Sequence, residues 1–369
     1  MRFLTADYLY PLYRMPIKEG ILQVSDKGKV VAIFEKRAEV PKEELEIFNG
    51  ILCPGFVNAH CHLELSHLLG VVKKGKGFLN FIGAIQQRNN FTKDKILEKI
   101  EKAERQMIKN GIVAVGDICN TDDTISQKQK GNLQYYNFIE IFGVQKKNIQ
   151  KTIKDGKLLR KQFRKNGFKT TLVPHAPYSV PPKLMREIAG NFDKKDLTLT
   201  IHNQEIKEEN ILFEQKSGAL FDWLQKTDAT SEIWEKRNKS TDILKELGSN
   251  KTLLVHNTFT KEEDLTDHYY CTCPKANLYI EKTLPDYSIL DADNLCVGTD
   301  SLASNNSLSI LEELQIIKEN SNFDLNTLLK IASKNGAEAL GFEKLGSFEK
   351  GKTPGVNLIS DLKKVKVIV

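Results

Sequence analysis

Two histidines stand two residues apart in Pro54-Gly-Phe-Val-Asn-Ala-His60-Cys-His62. On a strand, side chains at that spacing point to one side. Two neutral imidazoles aimed at one point can hold a borderline-soft divalent ion. Alone the pattern is weak, because paired histidines also occur in polar cores and on surfaces. Two further groups strengthen it. His202 ends the apolar run Leu197-Thr-Leu-Thr-Ile, and Asp300 ends Leu295-Cys-Val-Gly-Thr. Three nitrogens and one carboxylate leave a position for water, the composition of a catalytic rather than a closed structural site. A zinc-like divalent ion is expected, with Fe2+ as the alternative. It would bring the pKa of a water toward neutrality, so the expected chemistry is hydrolysis.

Such residues need a frame that brings distant segments together. Eight apolar, strand-like runs follow one another at 52–59, 112–117, 135–143, 170–175, 197–202, 252–256, 269–273 and 295–300. Most are separated by helix-length segments. One helix is expected over 92–110: Thr92 can cap it, Ile96, Ile100, Ala103 and Met107 share a face, and Gly111 can end it. Eight β/α units imply an α/β fold of the (β/α)8 barrel type, with a doubly wound sheet as the alternative. Both ends of the chain instead read as short β-runs with turns, such as Val30–Phe34 after Asp26-Lys-Gly, and Val365–Val369. They suggest one small domain made of 1–52 plus 345–369, around a hydrolase domain at 53–344. Residues 207–250 form a long polar insertion after the fifth strand, either a lid or surface helices.

A barrel of this kind gathers its active groups at the C-terminal strand ends. Of seven histidines, five fall at or just after predicted strand ends: His60, His62, His175, His202 and His256. Asp300 has the matching place on the eighth strand. His67 and His268 read as surface or loop residues.

Composition narrows the classes. The chain has 369 residues, 40% apolar and 28% charged, with a net charge of +6. It shows no concentrated basic stripe with interleaved aromatics, so nucleic-acid binding is not expected. No apolar stretch approaches a membrane span. The opening MRFLTADYLYPLYRMP does not have the pattern of a secretion signal. The six cysteines lack C-x-x-C spacing, which suits small buried thiols in a reducing cytoplasm.

The segments PGFVNAHCHLELS, HAPYS, HNQE, VHNT and GTDSLASN, in this order, resemble the metal-dependent amidohydrolases. The likeness is greatest to the mononuclear aminohydrolase branch, which includes adenosylhomocysteine/methylthioadenosine, aminofutalosine, guanine and cytosine deaminases. It covers nearly the whole chain and implies a barrel with a small β-sandwich domain, and a homodimer is common in the family.

The resemblance also implies roles. His60, His62, His202 and Asp300 match the metal ligands, and Asp300 also takes a proton from the water. Glu205 matches the proton-shuttling acid of H-x-x-E, although loop acids are common, as Glu208, Glu209 and Glu214 show. His256 matches the histidine that polarises the attacking water or the developing oxyanion, with a structural histidine as the alternative. The fourth strand ends in His175, with no lysine to bridge two metals, so one metal is expected and His175 is assigned to a small-molecule substrate. Ser301, Ser304 and Asn305 either support site and substrate or cap the next helix. Glu64 has an open role.

The implied reaction is deamination of an aminated heterocycle, with a purine nucleoside derivative of the aminofutalosine or adenosylhomocysteine type as the leading substrate. Phe78, Phe81 and Arg88 can frame it, although a packing face explains the phenylalanines equally. A chlorohydrolase or cyclic amide/amidine hydrolase using the same site, and a non-enzymatic metal-binding barrel, are the alternatives.

Overall fold

The computed structural model describes residues 1–369 apart from 37–38, 144–147, 194–195, 197, 227–238 and 249–250. Eight parallel strands position the chemistry. Phe56–Cys61, Ile112–Cys119, Gln134–Ile141 and Lys169–Pro174 form one four-stranded sheet in chain order. Leu199–Asn203, Thr252–His256, Tyr269–Thr272 and Leu295–Val297 form a second. Nearly every residue in these strands is buried. This is why they read as continuous apolar runs rather than as alternating ones.

The sheets are laced together at both edges. The His202 amide donates to the His175 carbonyl at 2.9 Å, joining the fourth strand to the fifth. Thr299 and Asp300 amides both donate to the His60 carbonyl at 3.1 Å, joining the eighth to the first. Gly298 permits that approach, since a Cβ there would lie 2.7 Å from the His60 carbonyl oxygen.

The helix expected over 92–110 spans Lys93–Lys109, with Thr92 accepting from the Lys95 amide. It buries Ile100, Ala103 and Met107 against the strands. A further turn of buried residues, Leu63–Leu68, follows the two histidines directly.

The run 52–59 is not one strand. It is cut at Gly55, whose amide donates to the Pro354 carbonyl at 3.0 Å. Its first part, Ile51–Pro54, pairs antiparallel with Val356–Ser360 near the C-terminus. Hydrophobicity could not show this break, because both halves are buried. That pairing belongs to a five-stranded terminal sheet, beside a four-stranded one containing Arg2–Thr5 and Ile21–Val24. One apolar cluster with Leu4, Leu22, Leu52 and Leu358 lies between the two sheets.

In the 207–250 insertion, helices Lys207–Gln215 and Ala219–Lys226 are described, and 227–238 and 249–250 lie outside the described residues. Leu197, expected to open the fifth strand, also lies outside them. All six cysteines are buried and unpaired. His67 is a correction: it is 7% exposed and packs edge-on against Phe91, so it is not a surface residue. No described helix is long and apolar enough to cross a membrane.

Candidate active site

The first strand carries His60 and leads into His62, bringing their Nε2 atoms within 3.2 Å of each other. Asp300 Oδ1 lies 3.6 Å from His60 Nε2 and 3.4 Å from His62 Nε2. His202 joins the cluster, its ligand atom within 4.8 Å of those of His60 and His62. Four ligands at about 2.1 Å around a tetrahedral centre lie about 3.4 Å apart. The observed spacing therefore fits one small divalent ion. The protonation states fit as well. Burial pushes His62 down to about 3 and lowers His202, which leaves both imidazoles neutral and free to donate lone pairs. Burial pushes the Asp300 carboxyl up, but hydrogen bonding from His60 and the neighbouring histidines outweigh it and hold Asp300 below the usual range.

Neighbouring groups orient these side chains. His202 Nδ1 donates to the His175 carbonyl at 2.8 Å, which turns Nε2 toward the cluster. Ser304 Oγ donates to Asp300 Oδ2 and is itself 3.2 Å from Ser301 Oγ. Asp300 has φ 54° and His256 φ 74°, a left-handed backbone that costs energy in residues with a side chain and recurs at functional sites.

His256 Nδ1 donates to Asn277 Oδ1 at 2.8 Å, leaving Nε2 as an acceptor. That atom lies 3.7 Å from Glu205 Oε1. Burial first, and the nearby Asp300 charge second, raise the Glu205 carboxyl well above its usual range.

These groups stand at one end of a cavity of about 410 Å³. His62, His175, His202, Glu205, His256 and Asp300 line it. Its other walls are largely apolar, with Phe78, Phe81 and Trp223 among them. Trp223 comes from the 207–250 insertion, whose described part thus reaches the cavity. Arg88 is half-buried on the wall, in the turn Gln86–Asn90. His175 lines the cavity with Nδ1 2.6 Å from Ser179 Oγ, and burial pushes it down to about 4.

Ser304 departs from the expectation of a substrate contact. It is fully buried behind Asp300 and is not part of the cavity wall. Asn305 donates to the Thr299 carbonyl and to Glu313 Oε1, both at 2.8 Å. The cap of the next helix is Ser309 instead. Glu64 Oε2 accepts from the Asn120 amide at 3.0 Å and from the Thr121 amide and hydroxyl at 2.9 Å. Sequence reasoning missed Asn120, Glu140 and Tyr178 on the cavity wall. The signal for Glu140 was an acid near the end of an apolar strand.

Known proteins resemble this chain over most of its length. An adenosine deaminase of Helicobacter pylori is 27% identical over 358 residues, covering 92% of this chain and 85% of that protein. The fold is shared with two solved structures. One is Helicobacter pylori aminofutalosine deaminase in complex with methylthio-coformycin, with a TM-score of 0.83, 24% identity, and coverage of 98% of this chain and 92% of that one. The other is an adenosine deaminase from Xanthomonas campestris with bound zinc, with a TM-score of 0.75, 20% identity, and coverage of 98% and 85%. The amidohydrolase family model matches residues 51–368, all eight parallel strands included, and the chain belongs to that family.

Proposed function

We propose that this chain is a mononuclear, metal-dependent aminohydrolase that removes ammonia from an amino-substituted heterocycle of the adenine nucleoside type. The observation that carries the reading is the pairing of Glu205 with His256 beside the His60, His62, His202 and Asp300 cluster. The names of the relatives above point the same way. In this reading the two parallel sheets close into one (β/α)8 barrel at 53–344, and 1–52 with 345–369 form a sandwich domain.

His60, His62, His202 and Asp300 would hold the ion, Zn2+ first and Fe2+ second. When bound, it supplies the Lewis acidity that makes water a nucleophile near neutral pH. The remaining steps belong to the side chains. His256 Nε2, an acceptor, orients the attacking water. Asp300 takes a proton from that water. Glu205, whose carboxyl is shifted by burial toward its protonated form, gives its proton to the ring nitrogen beside the reacting carbon. Protons returned to the exocyclic nitrogen let it leave as ammonia, so one water is consumed and an oxo product remains. His175 and Arg88 contact the substrate, and Ser304 acts through Asp300.

An ammonia-release screen of the zinc-loaded protein over purine nucleosides, pterins and cyclic amidines tests this. Turnover of adenine nucleosides, lost on chelation and regained with zinc, is expected. Chloride release from a chlorinated ring without any ammonia release would replace this reading with the chlorohydrolase one.

A further inference from the structure

We propose that Glu140 is a specificity-determining residue whose free carboxylate oxygen accepts a hydrogen bond from a hydroxyl on the substrate's sugar. This rests on the nucleoside reading above. Glu140 is near the end of the third parallel strand, lines the cavity, and has a side chain only 4% exposed. Its Oε2 accepts from Asn120 Nδ2 at 3.1 Å. Its Oε1 is buried without a hydrogen-bond partner among the described residues. A buried carboxylate oxygen without a donor is costly, and on a side chain that lines a ligand cavity it asks for a donor from the ligand.

The carboxyl is also fixed in place. Asn120, which holds it, is itself held by the buried Glu64 through its backbone amide. Glu64 has no direct place in the chemistry above, and this gives it one: it sets the turn that sets Glu140.

Two other uses of Glu140 fit less well. It does not orient His202, because the distance from Oε1 to His202 Nδ1 is 3.6 Å and that nitrogen donates to the His175 carbonyl at 2.8 Å. Glu140, His175 and His202 do have ligand atoms within 4.8 Å of one another, as a second cation site would need. However, Nδ1 of His202 and Nδ1 of His175 already have partners. A neutral hydroxyl suits the place better than a cationic arm. Arg88, which has no ion pair among the described residues, stands on the same wall. Asn120 and Glu140 come from the second and third strand ends, Glu205 and His256 from the fifth and sixth. A ring held at Glu205 can therefore extend its sugar toward Glu140.

The test compares zinc-loaded wild type, Glu140→Gln and Glu140→Ala on adenosine and on 2′,3′-dideoxyadenosine. For adenosine, kcat/KM should fall roughly 10-fold in the Gln variant and roughly 100-fold in the Ala variant, mainly through KM. For the dideoxy compound both variants should match wild type, with one zinc per chain throughout. Equal losses on both substrates would overturn the inference while leaving the nucleoside reading intact, as would loss of a second bound ion in the variants. Absence of nucleoside turnover by wild type would overturn both.

Discussion

Glu205 Oε1 lies 3.7 Å from His256 Nε2, across the ends of two neighbouring strands. The chain fixes this relationship locally. Gln204, just before Glu205, has φ 44° and is gripped from several sides. Its amide donates to Glu209 Oε1 at 3.1 Å, its Nε2 donates to Asp264 Oδ2 at 2.9 Å, and its Oε1 accepts from Thr260 at 2.7 Å. The sixth strand is tied to the fifth by the Asn257 amide, which donates to the Asn203 carbonyl at 3.0 Å. A carboxyl on a backbone held this firmly can deliver a proton to one atom of a bound ring.

Glu205→Gln should therefore lower kcat by about 10²- to 10⁴-fold, the usual contribution of a positioned general acid or base. Zinc content should stay at one per chain, because Glu205 is not among the clustered ligands. Steady-state kinetics with metal analysis checks this, and near-normal turnover with zinc in place would remove Glu205 from the mechanism.

Ser304→Ala removes the hydroxyl that donates to Asp300 Oδ2. Hydrogen bonds of this kind typically account for about 10- to 100-fold in metal affinity or activity. Zinc should be lost at lower chelator concentration than from wild type. KM for a nucleoside should stay unchanged at saturating zinc, because Ser304 is not on the cavity wall. A raised KM under those conditions would return Ser304 to the substrate.

Most of the candidate cluster was legible because a strand has a fixed period. The H-x-H spacing, and apolar runs ending in His202, His256 and Asp300, already placed those groups at strand ends. What stayed hidden depends on neighbours through space. The break at Gly55 is invisible in an apolar run whose two halves join different sheets. Ser304 was visible as a polar neighbour of Asp300, but helix cap, substrate contact and ligand support look alike until the geometry is known. Glu140 lies in an apolar strand, and only the missing hydrogen-bond partner of its buried Oε1 singles it out.

Buried acids around the site should make the metal-free protein weaken as pH rises. Burial pushes Glu209 up to about 8. In the unfolded chain a glutamate titrates near about 4.3. Between these values the folded chain keeps a proton that the unfolded chain has released. Stability from this group is therefore complete below the lower value and lost as pH climbs through the upper one. Glu209 Oε1 accepts from the Gln204 amide, and a glutamine in its place keeps an oxygen for that bond. Urea midpoints on either side of this window should differ less for Glu209→Gln than for wild type. Identical pH dependence in the two proteins would show that Glu209 ionises normally.

Lys128 is fully buried, and its Nζ contacts Asp117 Oδ2, Asn137 Oδ1 at 2.6 Å and Cys119 Sγ at 3.3 Å. The other oxygen of Asp117 accepts from the Leu63 amide at 2.8 Å, next to His62. The charge is kept: burial lowers the Lys128 pKa, but Asp117 and Cys119 outweigh it and the net direction is up. Removing one partner of a buried pair leaves the other charge uncompensated, at a cost of about 3–5 kcal/mol. Lys128→Met should lose stability on that scale in denaturant unfolding. The neutralised double variant Lys128→Met/Asp117→Asn should recover part of the loss, because its amide oxygen can still accept from Leu63. If the single and double variants are equally unstable, the damage comes from packing around the lysine stem rather than from a stranded charge.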